Sequence, residues 1–291
     1  MSAAGDEHAS TRPGTSIADA LQGAITAIAA AGCETPRLDA ELLLAHVLEV
    51  PREQLLLDRD LRVAGSAVRP FQDAVRRRAV LREPVAYIIG RRDFREITLA
   101  VDARALVPRP ESELLVELAL GLEPGARVLD VGTGSGAIAL ALKHERPDLE
   151  LSASDVSDDA LELARANALT LDLDVAFLQA DLLDGVPDEF DAVLANLPYV
   201  GERERASLAP EIVRHEPPDA LFAGADGLDA ITALVAQLSQ RRRVGFVALE
   251  LGAGQAPAVA GLLGDAGFEA VECVEDLAGI ERVVRGQRRA R

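Results

Sequence analysis

The sequence predicts an α/β protein: a doubly wound, mostly parallel sheet preceded by a small helical bundle and a linking β-hairpin. Three observations predict it. From Ser16 to Leu81 apolar residues recur at helical spacing and strand signals are weak. Between Pro84 and Val107, short β-branched runs flank a polar turn. From Arg127 onward, strand-like and helix-like segments alternate, which is the rhythm of strands joined by helical crossovers. The expected organisation is a disordered tail over 1–15, a helical domain over 16–83, a hairpin linker over 84–107 and an α/β domain over 108–291.

Each element has its own signal. Ser16 and Asp19 read as a capping box, followed by Ile17, Leu21, Ile25 and Ile28 on one face and by Gly32 as a stop. "PRLDAELLLAHVL" opens on Pro36 and repeats Leu38, Leu42 and Ala45, a second amphipathic helix. "PREQLLL" and "VRPFQDAVRRRAVL" continue the bundle. "PVAYIIG" and "ITLAVD" are expected to pair as a hairpin, and "PRPESELLVELAL" begins a helix behind prolines. Strands follow at "RVLDVG", "LELSASD", "DVAFLQAD", "FDAVLAN" and "RVGFVALELG". Helices are expected at "AIALALKHE", "SDDALELARANAL", "GLDAITALVAQLSQ" and "APAVAGLLGDAG". "FEAVECVED" and "IERVVRGQ" close the chain as an antiparallel pair.

Composition narrows the class. The chain has 291 residues, 49% hydrophobic, enough for a substantial core. No run of about 18 uncharged apolar residues occurs, so no membrane span is expected. Cys33 and Cys273 are far apart and outside any Cys/His cluster, which points away from disulfides and zinc and fits a reducing cytoplasm. A net charge of −18 opposes nucleic-acid phosphate unless a local basic patch intervenes. One candidate patch exists: Arg76, Arg77, Arg78, Arg82, Arg91, Arg92 and Arg95 stand against Glu83 and Asp93. It reads either as a solvated helix face with a loop or as a docking surface for an acidic or RNA-associated partner.

"VLDVGTGSGAIALAL" sets Gly132, Thr133, Gly134, Ser135 and Gly136 between a strand and a helix, where glycine lets the backbone approach a ligand and the helix start offers free N–H groups. Asp155 ends the next strand 19 residues past Gly136, the place for a carboxylate that accepts from ribose hydroxyls. A nicotinamide enzyme would fit this much. The spacing is G-x-G-x-G, however, and Asp130 before the loop suits the ammonium end of an amino-acid-bearing cofactor. The pattern resembles the class I S-adenosylmethionine-dependent methyltransferases, which implies that Asp181 and Leu182 of "QADL" lie beside the adenine.

"NLPY" ends the fourth strand, beside the first strand at the point where strand order reverses and ligands gather. It is similar to the (N/D/S)-x-P-(Y/F) signature of methyltransferases acting on planar amide or amino nitrogens. An amide nitrogen is a poor nucleophile, and two acceptors gripping its N–H bonds orient it and favour the charge that develops on it. The Asn196 side-chain oxygen and the Leu197 carbonyl are the expected acceptors. Pro198 fixes the turn and Tyr199 supplies an aromatic wall. No histidine or lysine base is evident.

Several further stretches resemble the protein-(glutamine-N5) methyltransferases of the HemK/PrmC family. They are "PRLDAELLLAHVL", "PVAYIIGRRDF", "ALVPRPESELLVE", "DVGTGSGAIALAL", "NLPYV", "HEPPDALFAGADGLDAI", "LELGAGQ" and "DLAGIERVVRGQ", covering about Ser16 to Gln287. The resemblance implies a helical substrate-recognition domain and a Rossmann-like catalytic domain with a seven-stranded sheet. It implies S-adenosyl-L-methionine as cofactor, S-adenosyl-L-homocysteine as product, and the Gly-Gly-Gln glutamine of peptide chain release factors as acceptor. A cytoplasmic monomer that holds no metal is the accompanying expectation. Arg109, Glu111 and His215 to Pro217 match family segments near the site and read equally well as packing. Leu197 stands where the family usually has Pro, and Ser112 where Thr is usual. Leu197 leaves open a paralogue acting on a ribosomal protein or another substrate. It also leaves open an adenine-N6 nucleic-acid methyltransferase, against which stand the charge and the 3% aromatic content, or a cofactor-binding protein without turnover.

Overall fold

Ser16 begins the first helix as a side-chain cap: its hydroxyl accepts from the Asp19 N–H at 3.1 Å and donates to the Asp19 carboxylate at 2.6 Å. The computed structural model describes residues 14–57 and 62–288, so most of the tail expected over 1–15 lies outside the described residues. Thr15, the last residue assigned to that tail, is in a strand: β1 (Thr15–Ser16) pairs antiparallel with β2 (Arg62–Val63). The chain divides into two compact units between Ile89 and Gly90.

The first unit contains α1 (Ile17–Ala30), α2 (Pro36–Leu48), α3 (Gln54–Leu57), α4 (Val68–Ala79) and α5 (Val85–Ile89). Its core joins Ile17, Leu21, Ile28, Leu43, Leu44 and Phe71. In α2 the buried face differs from the expected one. Leu38 is exposed, whereas Asp39, Ala40, Leu43 and Leu44 point inward. The run of three leucines leaves the phase of the helix ambiguous, and Asp39 resolves it by pairing with Arg78 of α4 at 2.6 Å, both side chains buried.

"PVAYIIG" is a helix and not a hairpin strand. The Tyr87 and Ile88 N–H groups return to the Pro84 carbonyl at 3.0 and 3.1 Å, and Gly90 ends the turn at φ +73°. Burial of Ile88 in the bundle core outweighs the β-branched preference. The hairpin lies wholly in the second unit, as β3 (Arg91–Phe94) and β4 (Ile97–Ala100).

In the second unit a short turn at Pro110–Ser112 leads into α6 (Glu113–Ala119). There follow β5 (Arg127–Val131), α7 (Ala137–Glu145), β6 (Glu150–Asp155), α8 (Asp158–Leu171), β7 (Ala176–Gln179) and β8 (Ala192–Ala195). Then come α9 (Pro210–His215), α10 (Asp229–Leu238), β9 (Phe246–Glu250), α11 (Ala256–Asp265), β10 (Glu269–Glu275) and β11 (Glu281–Gln287). The seven-stranded sheet has the order β10-β11-β9-β8-β5-β6-β7, with β11 antiparallel to both neighbours and the remaining pairs parallel. Strands β5, β8 and β9 are buried on both faces, as a sheet covered by helices requires. β5 lies between β6 and β8, so the chain leaves it in opposite directions and opens a crevice at its carboxyl end.

One side chain ties the hairpin to that crevice. Asn167 of α8, buried, accepts the Ala100 N–H at 2.8 Å and donates to the carbonyls of Ala100 and Ser135 at 3.0 and 2.9 Å.

Candidate active site

β5 ends in the glycine loop. Gly132, Gly134 and Gly136 all have positive φ, at +72°, +56° and +86°. The Gly132 and Thr133 N–H groups both donate to the Ser154 carbonyl at 2.9 Å, which folds the loop over the end of β6. A Cβ on Gly132 would lie 2.9 Å from Leu197 Cδ2, and one on Gly136 would lie 2.9 Å from Leu140 Cδ1. The first glycine therefore clears the crevice, and the third lets α7 pack.

A cavity of about 740 Å³ opens there, in the range of cofactor sites. Gly132, Thr133, Gly134 and Ser135 line it with Asp155, Asp181, Leu182, Asn196, Leu197 and Pro198. Ser112 and Arg109 reach it from the turn before α6, and Pro217 and Phe222 from the segment after α9.

Three residues assigned to the site from sequence stand behind it. Gly136 packs on Leu140 and Ala164. Asp130 is fully buried beneath the loop, where its Oδ2 accepts from the Thr133 hydroxyl at 2.6 Å and the Ala139 N–H at 3.3 Å. Burial pushes its carboxyl up to about 7 against those two hydrogen bonds. The Tyr199 hydroxyl turns away from the cavity lining, onto Glu250 Oε1 at 3.3 Å.

Asp155 uses both oxygens: Oδ2 accepts from the Gly134 N–H at 2.9 Å and Oδ1 from the Ser157 N–H at 3.0 Å. Each oxygen keeps a second lone pair, and the residue lines the cavity. Asn196 gives its Nδ2 to the Ser112 hydroxyl at 2.9 Å. Among the described residues no hydrogen bond reaches Asn196 Oδ1 or the Leu197 carbonyl. Leu197 itself is buried in the core beneath Gly132.

The turn after Pro198 is held from outside. Gln255 Nε2 donates to the Tyr199 carbonyl at 3.0 Å, and the Val200 N–H donates to the Leu221 carbonyl at 2.9 Å. Gly227, at φ +80°, approaches so closely that a Cβ there would lie 2.0 Å from the Tyr199 oxygen. Arg109 pairs with the buried Glu216 at 2.6 Å. Burial raises the Glu216 carboxyl, opposed by Arg109.

Two functional groups escaped the sequence reading: Ser112, noted only as a departure from the family pattern, and Glu250. Glu250 had a signal, since it is the one charge in the apolar run "FVALEL". It is 1% exposed, and burial pushes it up to about 7. The Tyr199 hydroxyl, which donates to it at 3.3 Å, and the nearby Ser112 pull the other way, while Glu111 adds to the rise and Arg282 opposes it.

Four of the seven arginines of the basic patch, Arg76, Arg77, Arg78 and Arg95, are paired with carboxylates. In the first unit Arg76 meets Asp73 at 3.1 Å, Arg77 meets Glu83 at 2.5 Å and Arg78 meets Asp39, while Arg82 donates to the Ala31 carbonyl at 2.6 Å. In the second unit Arg95 pairs with Glu145.

The sheet order, the glycine loop and the polar turn ending β8 define a class I S-adenosylmethionine-dependent methyltransferase. The loop is a cradle that side chains at Gly132 and Gly134 would fill or strain, with an unused carboxylate oxygen, Asp130 Oδ1, beneath it, so the residues present fit that cofactor. Residues 19–90 match the PrmC N-terminal domain and residues 110–224 the methyltransferase small domain. The release factor glutamine methyltransferase of Deinococcus radiodurans is 42% identical over 94% of this chain and 98% of its own. The chain belongs to the release factor glutamine methyltransferase family and is an enzyme of the methyltransferase class. The protein of the same name from Rhodospirillum rubrum is 40% identical over 89% of this chain and 81% of its own.

Two solved structures share the fold. The hMettl16 catalytic domain has a TM-score of 0.55 and 18% identity over 77% of this chain and 82% of that one. A methyltransferase from Pyrococcus furiosus has a TM-score of 0.51 and 18% identity over 66% and 89%.

Proposed function

We propose that the protein transfers a methyl group from S-adenosyl-L-methionine to the side-chain amide nitrogen of the Gly-Gly-Gln glutamine in peptide chain release factors. The observation that carries this reading is the single cavity joining the glycine loop to Asn196, Leu197 and Pro198, in a chain whose relatives named for that reaction match it nearly end to end.

S-adenosylmethionine, when bound, supplies an activated methyl. Gly132 to Ser135 form the backbone wall against it, Asp155 accepts from ribose hydroxyls, and Asp181 and Leu182 edge the base. Asp130 acts from below by holding Thr133 and the start of α7 in place. Asn196 Oδ1 and the Leu197 carbonyl accept the two N–H bonds of the glutamine amide. They hold its plane fixed and stabilise the positive charge that grows on nitrogen. One of those protons leaves to solvent after transfer, so no side-chain base is needed. Leu197 keeps the carbonyl that this grip requires, because the acceptor belongs to the backbone.

The first unit serves as the substrate-recognition domain, and the enzyme works as a monomer in the cytoplasm, where release factors act. RNA is the less favoured substrate: four of the seven arginines that would form a phosphate track are paired with carboxylates, and the chain carries a net charge of −18.

The test uses purified protein, labelled S-adenosylmethionine, release factors and total RNA, with tryptic mass spectrometry to place the methyl. The expected result is one added methyl on the Gly-Gly-Gln glutamine, lost in Asn196→Ala. Label on RNA alone, or on neither acceptor, overturns the reading.

A further inference from the structure

One side-chain amide outside the cavity holds the turn that the proposed reaction needs. Gln255 stands just before α11 and takes no part in the cavity lining. Its Oε1 accepts the Gly252 N–H at 2.8 Å, and its Nε2 donates to the Tyr199 carbonyl at 3.0 Å and to the Asp226 carbonyl at 3.1 Å. The end of β8, the glycine-rich segment before α10 and the exit from β9 therefore meet on one residue.

Glycine clears the space around it. A Cβ on Gly227 would lie 2.9 Å from Gln255 Nε2, and one on Gly252 would lie 3.1 Å from Gln255 Oε1 and 3.3 Å from Tyr199 Cδ2. The amide itself has one orientation. A backbone N–H only donates and a carbonyl only accepts, so Oε1 must face Gly252 and Nε2 must face the two carbonyls. An ionised glutamate has the acceptors without the donors, and a methionine of similar length has neither in useful strength.

The contact reaches the acceptor turn through the chain. The Tyr199 carbonyl and the Val200 N–H belong to one planar peptide unit. Gln255 holds its carbonyl, and the Leu221 carbonyl takes its N–H at 2.9 Å. The Val200 carbonyl in turn accepts from the Ala223 N–H at 3.0 Å. At the other end, Ala195 is locked in the sheet between Val131 and Leu249. Asn196, Leu197 and Pro198 are strung between these two fixed points, and the ring of Pro198 removes one more rotation. Without Gln255 the 199–200 peptide unit is free to turn, and the Leu197 carbonyl turns with it.

We propose that Gln255 is a positioning residue for methyl transfer: by fixing the Tyr199 carbonyl from outside the cavity, its amide sets the direction of the Leu197 carbonyl and the Asn196 side chain that receive the substrate nitrogen. The proposal rests on the reading that those two groups grip the acceptor amide. It gives a common role to "NLPYV", "HEPPDALFAGADGLDAI" and "LELGAGQ", three separate stretches that this one side chain joins.

The experiment compares wild type with Gln255→Met and Gln255→Glu, with Asn196→Ala as the inactive reference. It reads kcat and KM on release factor, S-adenosylhomocysteine affinity by calorimetry, and amide hydrogen exchange at Val200 with the amides of β8 and β9 as controls. Both Gln255 variants are expected to lose about tenfold or more in kcat, with KM and cofactor affinity within about threefold. Exchange at Val200 should quicken by about tenfold or more while the strand amides keep their protection. Gln255→Glu should lose at least as much as Gln255→Met, because its carboxylate faces two carbonyl oxygens.

Wild-type kcat in both variants overturns the proposal, as does unchanged exchange at Val200. A cofactor affinity that falls as far as kcat also overturns it, because the amide then supports the whole cavity and not the acceptor turn. If wild type places no methyl on release factor, yet Val200 exchange quickens in the variants and cofactor affinity holds, the substrate reading fails and the hold on the turn stands. If release factor is methylated and Asn196→Ala is inactive while both Gln255 variants are fully active, the positioning role fails and the substrate reading stands.

Discussion

Arg109 and Glu216 stand 107 positions apart in the sequence and meet at 2.6 Å at the edge of the cavity, Glu216 almost fully buried. Two loops that carry no regular structure are thereby joined by one ion pair. Removing the cation leaves a buried carboxylate unpaired. Arg109→Ala is expected to destabilise the protein by roughly 2–3 kcal/mol, the lower part of the range because a third of the arginine faces water. Glu216→Gln should cost less, since no charge is stranded. Denaturant unfolding at pH 7.5 (a condition above the ordinary carboxylate range) checks the order.

Gly132 meets Leu197 across the floor of the cavity. Gly132→Ala puts a methyl within 2.9 Å of the Leu197 side chain at a φ that L residues resist. Affinity for S-adenosylhomocysteine should fall by about tenfold, or about 1.4 kcal/mol. Adding Leu197→Ala should restore part of it, because the contact is relieved while the backbone strain remains. Calorimetry on the four proteins of that double-mutant cycle measures the coupling.

Gly227 constrains the other wall. Gly227→Ala would drive a Cβ into the Tyr199 carbonyl, which must then move. Methyl transfer should drop by about tenfold or more, while S-adenosylhomocysteine still binds. Equal losses in both assays would show that the turn after Pro198 also shapes the cofactor wall.

Asp130 links the site to pH through stability. Its carboxyl is raised to about 7 in the folded protein from an ordinary value of 3.8. Between those values the folded state holds a proton that the unfolded chain has released. Its contribution to stability is complete below about pH 4, declines as pH rises and is gone above about 7. Asp130→Asn removes that dependence. Thermal midpoints of wild type and variant should diverge as pH is raised from about 5 to 8, with the variant gaining relative to wild type. Parallel curves would mean that Asp130 ionises normally.

Much of the sheet was legible because its signals are local. β5 and β8 are short apolar runs that stop on glycine and asparagine, and α7 begins and ends where its pattern does. The Asp155 and Asn196 positions follow from strand order alone. What was not legible depends on distant partners. The helix at Val85–Ile89 shares its β-branched residues with strands, and only burial in the bundle selects the helix. The motif places Asp130 and Tyr199 at the cavity, but Asp130 is buried under the loop against Thr133 and the Tyr199 hydroxyl is taken by Glu250, contacts the motif does not state. Ser112 contacts Asn196 from 84 positions away. No window of sequence contains both.

Asn167 carries a consequence for how variants of this protein should be interpreted. It lies in the middle of a helix and does not line the cavity, yet its one amide fastens Ala100 of the hairpin and Ser135 of the glycine loop. A scan that scored each position by its distance from the cavity would rate it tolerant. Losing the amide would release the two segments together, so the hairpin and the glycine loop form one heritable module whose shared lock is a residue that neither segment contains.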